Sequence, residues 1–280
     1  MIKESTLIEA RDIEFLEELC REIRIDVLEM LTEAGSGHIG GCLSAVEIVV
    51  TLFFAKMRLD PKNINWFERD RFILSKGHAA PLLYATLAKR GCISSDLLMT
   101  LRKCDSPLQG HPCVRHLPAV EVSTGSLGQG LSVANGIALG LRLQKSPSKI
   151  YCLLGDGEIQ EGQVWEAAMT AAHYKLDNLC AIIDYNKLQI DGNVDDVMKI
   201  SPIDDKWSAF GWHVLSVDGH SHEELLSAFD EADSIKRKPT LIIADTVKGK
   251  GVSFYENRVE YHGVAPSRKE LALAIEELIR

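Results

Sequence analysis

The sequence predicts an α/β fold, a parallel sheet with helices on both faces. Two observations lead there. From about residue 70 to residue 245, short runs that are apolar throughout alternate with segments of helical periodicity, and strands buried on both faces read as such continuous runs. The residues directly after these runs are polar, charged or glycine, as expected where a ligand sits at the carboxyl ends of parallel strands.

The candidate strands are Arg71 to Ser75, Ile150 to Leu154, Leu179 to Asp184, His213 to Val217 and Thr240 to Asp245. The helices expected between and around them are Pro81 to Arg90, Leu127 to Gln144, Gln163 to Lys175 and Glu223 to Ile235. Ahead of the sheet, Thr6 to Glu33 reads as one amphipathic helix. Leu16, Leu19, Ile23, Val27 and Leu31 fall on one face, and Gly35-Ser36-Gly37 breaks it. A second helix fits Ser44 to Lys56. At the other end, Ser267 with Glu270 three positions later is a capping box opening a last helix. No repeat or linker interrupts the chain, so residues 1–280 are expected to form a single domain with an N-terminal helical extension.

Bulk properties exclude several classes. Against 31 Lys and Arg stand 40 Asp and Glu, a formal charge of −9, which argues against general affinity for nucleic acid or anionic membrane. No apolar run approaches the ~20 residues that span a bilayer. Seven cysteines, several inside apolar runs such as Ile150-Tyr151-Cys152-Leu153-Leu154, fit buried thiols in a cytoplasmic protein better than a disulfide framework. An acidic chain that binds an anion must concentrate positive charge locally.

The strand ends supply the means. Gly155-Asp156-Gly157 follows an apolar strand, and Asn186 stands 30 residues beyond Asp156, after the next strand. One carboxylate, one amide oxygen and a backbone carbonyl form a hard-oxygen set of the kind Mg²⁺ prefers, leaving positions for two phosphate oxygens and a water. A single carboxylate leaves such an ion net positive, able to bridge an acidic protein to a diphosphate. Alone, Gly-Asp-Gly reads better as a turn closing a strand; the apolar strand before it and Asn186 after the next one favour the metal site.

Nine histidines are present. Four pair with glycine: Gly37-His38, Gly77-His78, Gly110-His111 and His262-Gly263. Rings in such small-residue contexts can face a ligand closely and move protons near neutral pH. His116, His173, His213, His220 and His222 read as surface or capping residues. A zinc site at Cys104, His111, Cys113 and His116 is the rival reading, but no paired Cys-x2-Cys supports it.

The ordered set of motifs resembles the transketolase family from about Leu16 to Gly263. Gly155-Asp156-Gly157 followed by Asn186 resembles its thiamin diphosphate fingerprint, with Lys187 where a second Asn is usual. Ser36-Gly37-His38 resembles its first histidine loop, with Ile39 in place of proline. Ser75-Lys76-Gly77-His78-Ala79 resembles its lysine-histidine segment, and Thr124 to Gly130 its glycine-rich loop. Lys248-Gly249-Lys250-Gly251 and Tyr261-His262-Gly263 resemble its closing loop.

The resemblance implies thiamin diphosphate held by Mg²⁺, Ca²⁺ or Mn²⁺, with Asp156, Asn186 and the Leu188 backbone oxygen as metal ligands. It implies that His38, His78, His111 and His262 line the cofactor and substrate channel. Lys76, Lys248 and His262 would approach diphosphate or substrate oxygens. Gly125, Ser126 and Leu127 would flank the cofactor, and Gly155 and Gly157 would frame the metal loop. Glu161 matches a family glutamate at the dimer interface that takes part in communication between sites.

Relatives continue beyond the point where this sequence stops, into a pyrimidine-binding domain. The chain is therefore expected to be the N-terminal subunit of a split transketolase, completed by a separate C-terminal subunit in a hetero-oligomer with two copies of each. The reaction expected is transfer of a two-carbon ketol unit from a ketose phosphate to an aldose phosphate. Alternatives are a related ketol-transferase or synthase subunit that takes an unusual sugar phosphate, a decarboxylase subunit sharing the metal fingerprint, and a non-catalytic cofactor-binding fragment.

Overall fold

A computed structural model describes residues 12–280. The part of the first predicted helix before residue 12 lies outside the described residues. From there α1 runs Ile13–Ala34. The Asp12 carboxylate accepts the Glu14 N–H at its start, and Gly35 (φ 63°) ends it by donating to the Leu31 and Thr32 carbonyls, the left-handed exit that glycine adopts without steric cost.

The predicted helix Ser44 to Lys56 is instead two short pieces, α3 (Val46–Val50) and a wide π-turn over Thr51–Lys56, and a separate short helix, α2 (Ile39–Leu43), precedes them. Two side-chain hydrogen bonds, one of them to a distant segment, accompany the break. The Ser44 hydroxyl reaches the Asp184 carboxylate, 2.6 Å away, and the Thr51 hydroxyl back-bonds to the Glu47 carbonyl at 2.6 Å.

The sheet is as the apolar runs foretold. Its strands are β1 (Arg71–Leu74), β2 (Ile150–Gly155), β3 (Leu179–Tyr185), β6 (His213–Asp218) and β7 (Thr240–Asp245). The order is β1-β2-β3-β7-β6 and every pairing is parallel. Alternate residues serve opposite cores, as strand geometry requires. Phe72, Leu74, Leu153, Ile182 and Ile242 face a cluster formed with α1, α2, α3, α4 (Ala80–Lys89), α9 (His222–Ser234) and α10 (Arg268–Ile279). Ile73, Cys152, Leu154, Ile183 and Ile243 face a second cluster with α5 (Gln129–Leu143), α6 (Gly162–His173) and α8 (Ile203–Ala209). Both capping-box bonds of α10, Ser267 to Glu270 and back, are formed.

One feature went unread in the sequence. After β3 the chain makes a small antiparallel hairpin, β4 (Leu188–Gln189) and β5 (Gly192–Asn193), before the single-turn α7 (Val194–Val197). Its strands are too short and too polar to carry an alternation signal. It folds back over the ends of the parallel strands and forms one wall of the cavity described next. Among the described residues, no helix is long and apolar enough to cross a membrane.

Candidate active site

A cavity of about 340 Å³ opens at the carboxyl ends of the central strands. Gly155 and Asp156 reach it from the end of β2, Asn186 from β3, Lys76 and His78 from the turn after β1, and Lys248 from the loop after β7. Leu188 lines it from the hairpin, and Gly125 and Leu127 from the loop before α5. His38, His111, Gly157 and His262 complete the predicted lining, joined by Gly41, Glu158 and Gln160, none of them a predicted site residue. Two predicted residues fall outside it. Ser126 is exposed, and Glu161 is the exposed residue immediately before α6.

Three oxygen carriers share this space. Asp156, 3% exposed, accepts the Gly157 N–H at 2.7 Å on one oxygen and the Lys187 N–H on the other. The Asn186 Oδ1 accepts the Leu188 N–H at 3.2 Å, and the Leu188 carbonyl accepts Lys248 Nζ at 2.9 Å. Each of these oxygens retains a lone pair. Burial, reinforced by the Asp184 carboxylate, pushes the Asp156 carboxyl up to about 6, a penalty that a cation in the cavity would relieve. The donor set therefore fits a hard divalent ion. No cluster of three or more His, Cys, Asp or Glu side chains able to hold a metal exists among the described residues. The zinc reading at Cys104, His111, Cys113 and His116 is corrected by the same observation.

Asp184 is the residue that sequence reading missed. It is 0% exposed, at the end of β3. One oxygen accepts from Ser44 Oγ (2.6 Å), Asn186 Nδ2 (3.0 Å) and Lys76 Nζ; the other accepts from Thr246 Oγ1. Burial alone would raise its pKa, but the Lys76 ammonium and these donors hold it below the usual range. An ionised carboxylate accepts only, so it selects the amide orientation that turns Asn186 Oδ1 away from itself. The signal was present: an acid closing a wholly apolar strand is rarely buried without partners. Glu158, 2% exposed, is a second such residue. It accepts from Ser75 Oγ and from the Gly128 and Gly155 N–H groups, both at 3.0 Å, and so ties the loop before α5 to β2.

The histidines line the same cavity. His38, His78 and His262 form a triangle with ring centroids 5.1, 5.6 and 5.6 Å apart. Glycine does give the rings room, but through space. A Cβ on Gly41 would meet His78 Nε2 at 3.3 Å, and one on Gly125 would meet His111 Cγ at 3.2 Å. Burial and neighbouring cations hold the rings neutral. His38 is pulled down to about 4 by burial and then Arg102, and His262 to about 3 by burial and then Lys248. His78 lies well below its ordinary value through burial and Lys76. Burial likewise lowers the Lys248 ammonium to about 8. His38 Nδ1 is buried without a hydrogen-bond partner among the described residues, a cost that a bound ligand would remove. Lys76 and Lys248 are the ammonium groups of the lining, but Asp184 is paired with the first and Asp156 shares the cavity with the second, so a divalent ion would make the site net positive for an anion.

With this geometry in place, comparison with known proteins is direct. The family described as "Transketolase, thiamine diphosphate binding domain" matches residues 16–278. A 6-deoxy-6-sulfo-D-fructose transketolase subunit of Clostridium sp. is 45% identical over 91% of this chain and 93% of its own length. An apulose-4-phosphate transketolase subunit from Actinobacillus succinogenes is 46% identical over 94% of this chain and 95% of its own. The crystal structure of Campylobacter jejuni transketolase superposes with a TM-score of 0.91 at 35% identity, over 95% of this chain but only 43% of that longer one. A family match across nearly the whole length, relatives of equal span and a shared fold agree: the chain belongs to the transketolase family, as its N-terminal, thiamine diphosphate-binding part.

Proposed function

We propose that this chain is the N-terminal subunit of a cytoplasmic transketolase of carbohydrate metabolism, acting as one cofactor-binding domain. In this reading it moves a two-carbon ketol unit from a ketose phosphate to an aldose phosphate. It works with thiamine diphosphate, a divalent ion such as Mg²⁺, and a C-terminal partner subunit bearing the pyrimidine-binding domain, two copies of each chain making the assembly. One observation carries the reading. A single cavity brings the oxygens of Asp156, Asn186 and Leu188 together with two ammonium groups and four imidazoles, a combination suited to a metal-bound diphosphate at one end and a polyhydroxylated substrate at the other.

When bound, thiamine diphosphate supplies the nucleophilic carbon for cleaving and remaking the carbon–carbon bond beside the carbonyl. The protein's part is binding, orientation and proton handling. Asp156, Asn186 Oδ1 and the Leu188 carbonyl would hold the ion, and Lys76 and Lys248 would meet phosphate oxygens. Lys248 Nζ lies 3.0 Å from His262 Nδ1. An ammonium can only donate, so Nδ1 accepts and the neutral ring carries its proton on Nε2. His262 thereby offers an N–H to a substrate oxygen. His38, neutral and with a free Nδ1, is placed to accept or return a hydroxyl proton.

A second reading is favoured by the relatives of equal span. Subunits named for 6-deoxy-6-sulfo-D-fructose and apulose 4-phosphate match this chain at 42–46% identity over almost their entire length, so the donor or acceptor here can be an unusual sugar carrying an anionic group.

The test is reconstitution. The chain is mixed with its C-terminal partner, thiamine diphosphate and Mg²⁺, then assayed with xylulose 5-phosphate plus ribose 5-phosphate. Turnover should require both subunits. Equal turnover by this chain alone would overturn the split-subunit reading. Turnover with a sulfonated or branched sugar, and none with xylulose 5-phosphate, would favour the second reading.

A further inference from the structure

Behind the cavity, a buried line of polar groups holds the loop that carries Lys248. Glu47 on α3 accepts Arg24 Nη2 at 2.6 Å on one oxygen and His220 Nδ1 at 3.0 Å on the other. From the far side of each donor, the line returns to backbone. Arg24 Nε donates to the Lys250 carbonyl at 2.9 Å, and the Val247 N–H donates to His220 Nε2 at 2.8 Å. The two backbone groups held in this way flank Lys248 on either side.

The proton positions follow from the partners. A backbone N–H can only donate, so His220 Nε2 is an acceptor and the ring's proton sits on Nδ1, where Glu47 accepts it. Glu47 stays ionised. Burial would raise its pKa, but the Arg24 guanidinium and His220 bring it down to about 2. The loop comes hard against the guanidinium. At Gly251, φ +95°, an added Cβ would sit 2.9 Å from Arg24 Nε. On the cavity side the Lys248 stem lies along Gly40, where a Cβ would meet its Cγ at 3.0 Å, and the Gly249 N–H donates to the Gly40 carbonyl at 3.1 Å.

Arg24, Glu47 and His220 come from α1, α3 and the turn after β6, three elements remote in sequence. None of the three lines the cofactor cavity. A buried ion pair is a poor device for stability alone but a good one for fixing a single geometry. We propose that Arg24, Glu47 and His220 form a positioning unit that sets Lys248 Nζ for the diphosphate tail of the cofactor. The inference rests on the role given to Lys248 under the proposed function.

The test is a two-by-two set of variants in the assembled two-subunit protein: wild type, Glu47→Gln, Lys248→Met and the double variant. Each is titrated calorimetrically with thiamine diphosphate in the presence of Mg²⁺. A glutamine has one acceptor oxygen where two donors converge, so the clamp loses one arm while side-chain volume is kept. Glu47→Gln should weaken cofactor affinity about tenfold (~1.4 kcal/mol) in the wild-type background. In the Lys248→Met background it should weaken it by less than about twofold. His220→Ala, at a partly exposed ring, is the second variant should Glu47→Gln fail to fold, and it should show the same dependence on Lys248. Equal losses in both backgrounds, or no loss in the wild-type background, overturn the positioning role. Wild-type affinity in Lys248→Met shows instead that the diphosphate contact assigned to Lys248 is wrong, and the proposal falls with it.

Discussion

The two walls of the cavity are built on opposite plans. On the metal side, Asp156, Asp184, Asn186, Lys76 and Lys248 are almost wholly buried, and each has its hydrogen bonds within the protein. On the histidine side, His38, His78 and His262 are only partly buried, their rings are held neutral, and His38 keeps an unpartnered nitrogen. One wall is a finished electrostatic device. The other is a set of neutral rings, of which His262 is met by Lys248 and His38 keeps a nitrogen with no protein partner. In the proposed reading, binding and proton transfer fall to different surfaces, and substitutions should separate them.

The largest effect is expected on the finished wall. Asp184→Ala leaves the Lys76 ammonium buried and unpaired and removes the acceptor of Ser44, Asn186 and Thr246. The loss of folding stability should be about 3–5 kcal/mol, read by denaturant titration without cofactor. A loss below about 1 kcal/mol would mean that Lys76 finds another partner and that this wall is not prebuilt.

Next come the substitutions that should split binding from turnover. Asp156→Ala should weaken Mg²⁺-dependent binding of thiamine diphosphate by roughly 100-fold or more, about 2.7 kcal/mol, measured calorimetrically with the partner present. His38→Asn should leave that affinity within about threefold while lowering kcat by roughly 10²-fold or more, the usual scale for a proton-transfer group. If both variants lost binding equally, the division between the walls would be wrong.

The walls should also respond to acid with opposite signs. His38 and His262 titrate below their unfolded value of about 6.5, so the stability they contribute is full above that pH and is lost as pH falls toward 4 and 3. Asp156 titrates above its ordinary value, at about 6. Its carboxyl therefore favours the fold below pH ~4 and loses that contribution as pH rises through 6. In cofactor-free protein, His38→Asn should make the stability–pH curve between pH 4 and 6.5 flatter on the acid side. Asp156→Asn should raise stability at pH 7 and leave it unchanged near pH 4. Slopes that shift in the same direction for both variants would contradict the contrast.

How much of this was legible in the sequence follows the same division. The parallel strands could be read because burial on both faces demands unbroken apolar runs, and the structure places all five within a residue or two of the expected bounds. The cavity's charged and histidine residues could be read because glycine and strand ends mark where ligands sit. What could not be read depended on contacts between distant segments. The Ser44 hydroxyl reaches Asp184 across 140 residues, and the acceptor role of Asp184 depends on three other segments, at Ser44, Lys76 and Thr246, converging on it. The hairpin at Leu188 to Asn193 gave no periodic signal, yet it delivers the Leu188 carbonyl to the cavity. His220 was read as a surface residue because its partners, Glu47 and the Val247 N–H, are remote in sequence.

The smallest effect should come from His111, the one cavity histidine that is exposed. Its ring lies over Gly125, where even a methyl group would come within 3.2 Å of Cγ and Cδ2. Burial of the rest of the ring, and then Arg102, lower its pKa, so it too is neutral near pH 7. An exposed neutral ring exchanges its hydrogen bonds with water at little net cost. In the proposed reading its contribution comes from contact with the substrate rather than from holding the site together. His111→Asn should reduce kcat/KM by no more than about tenfold, ~1.4 kcal/mol, through KM, with cofactor affinity and folding stability unchanged. A loss of cofactor affinity instead would place His111 on the metal-side wall and show that the loop over Gly125 is held by this ring.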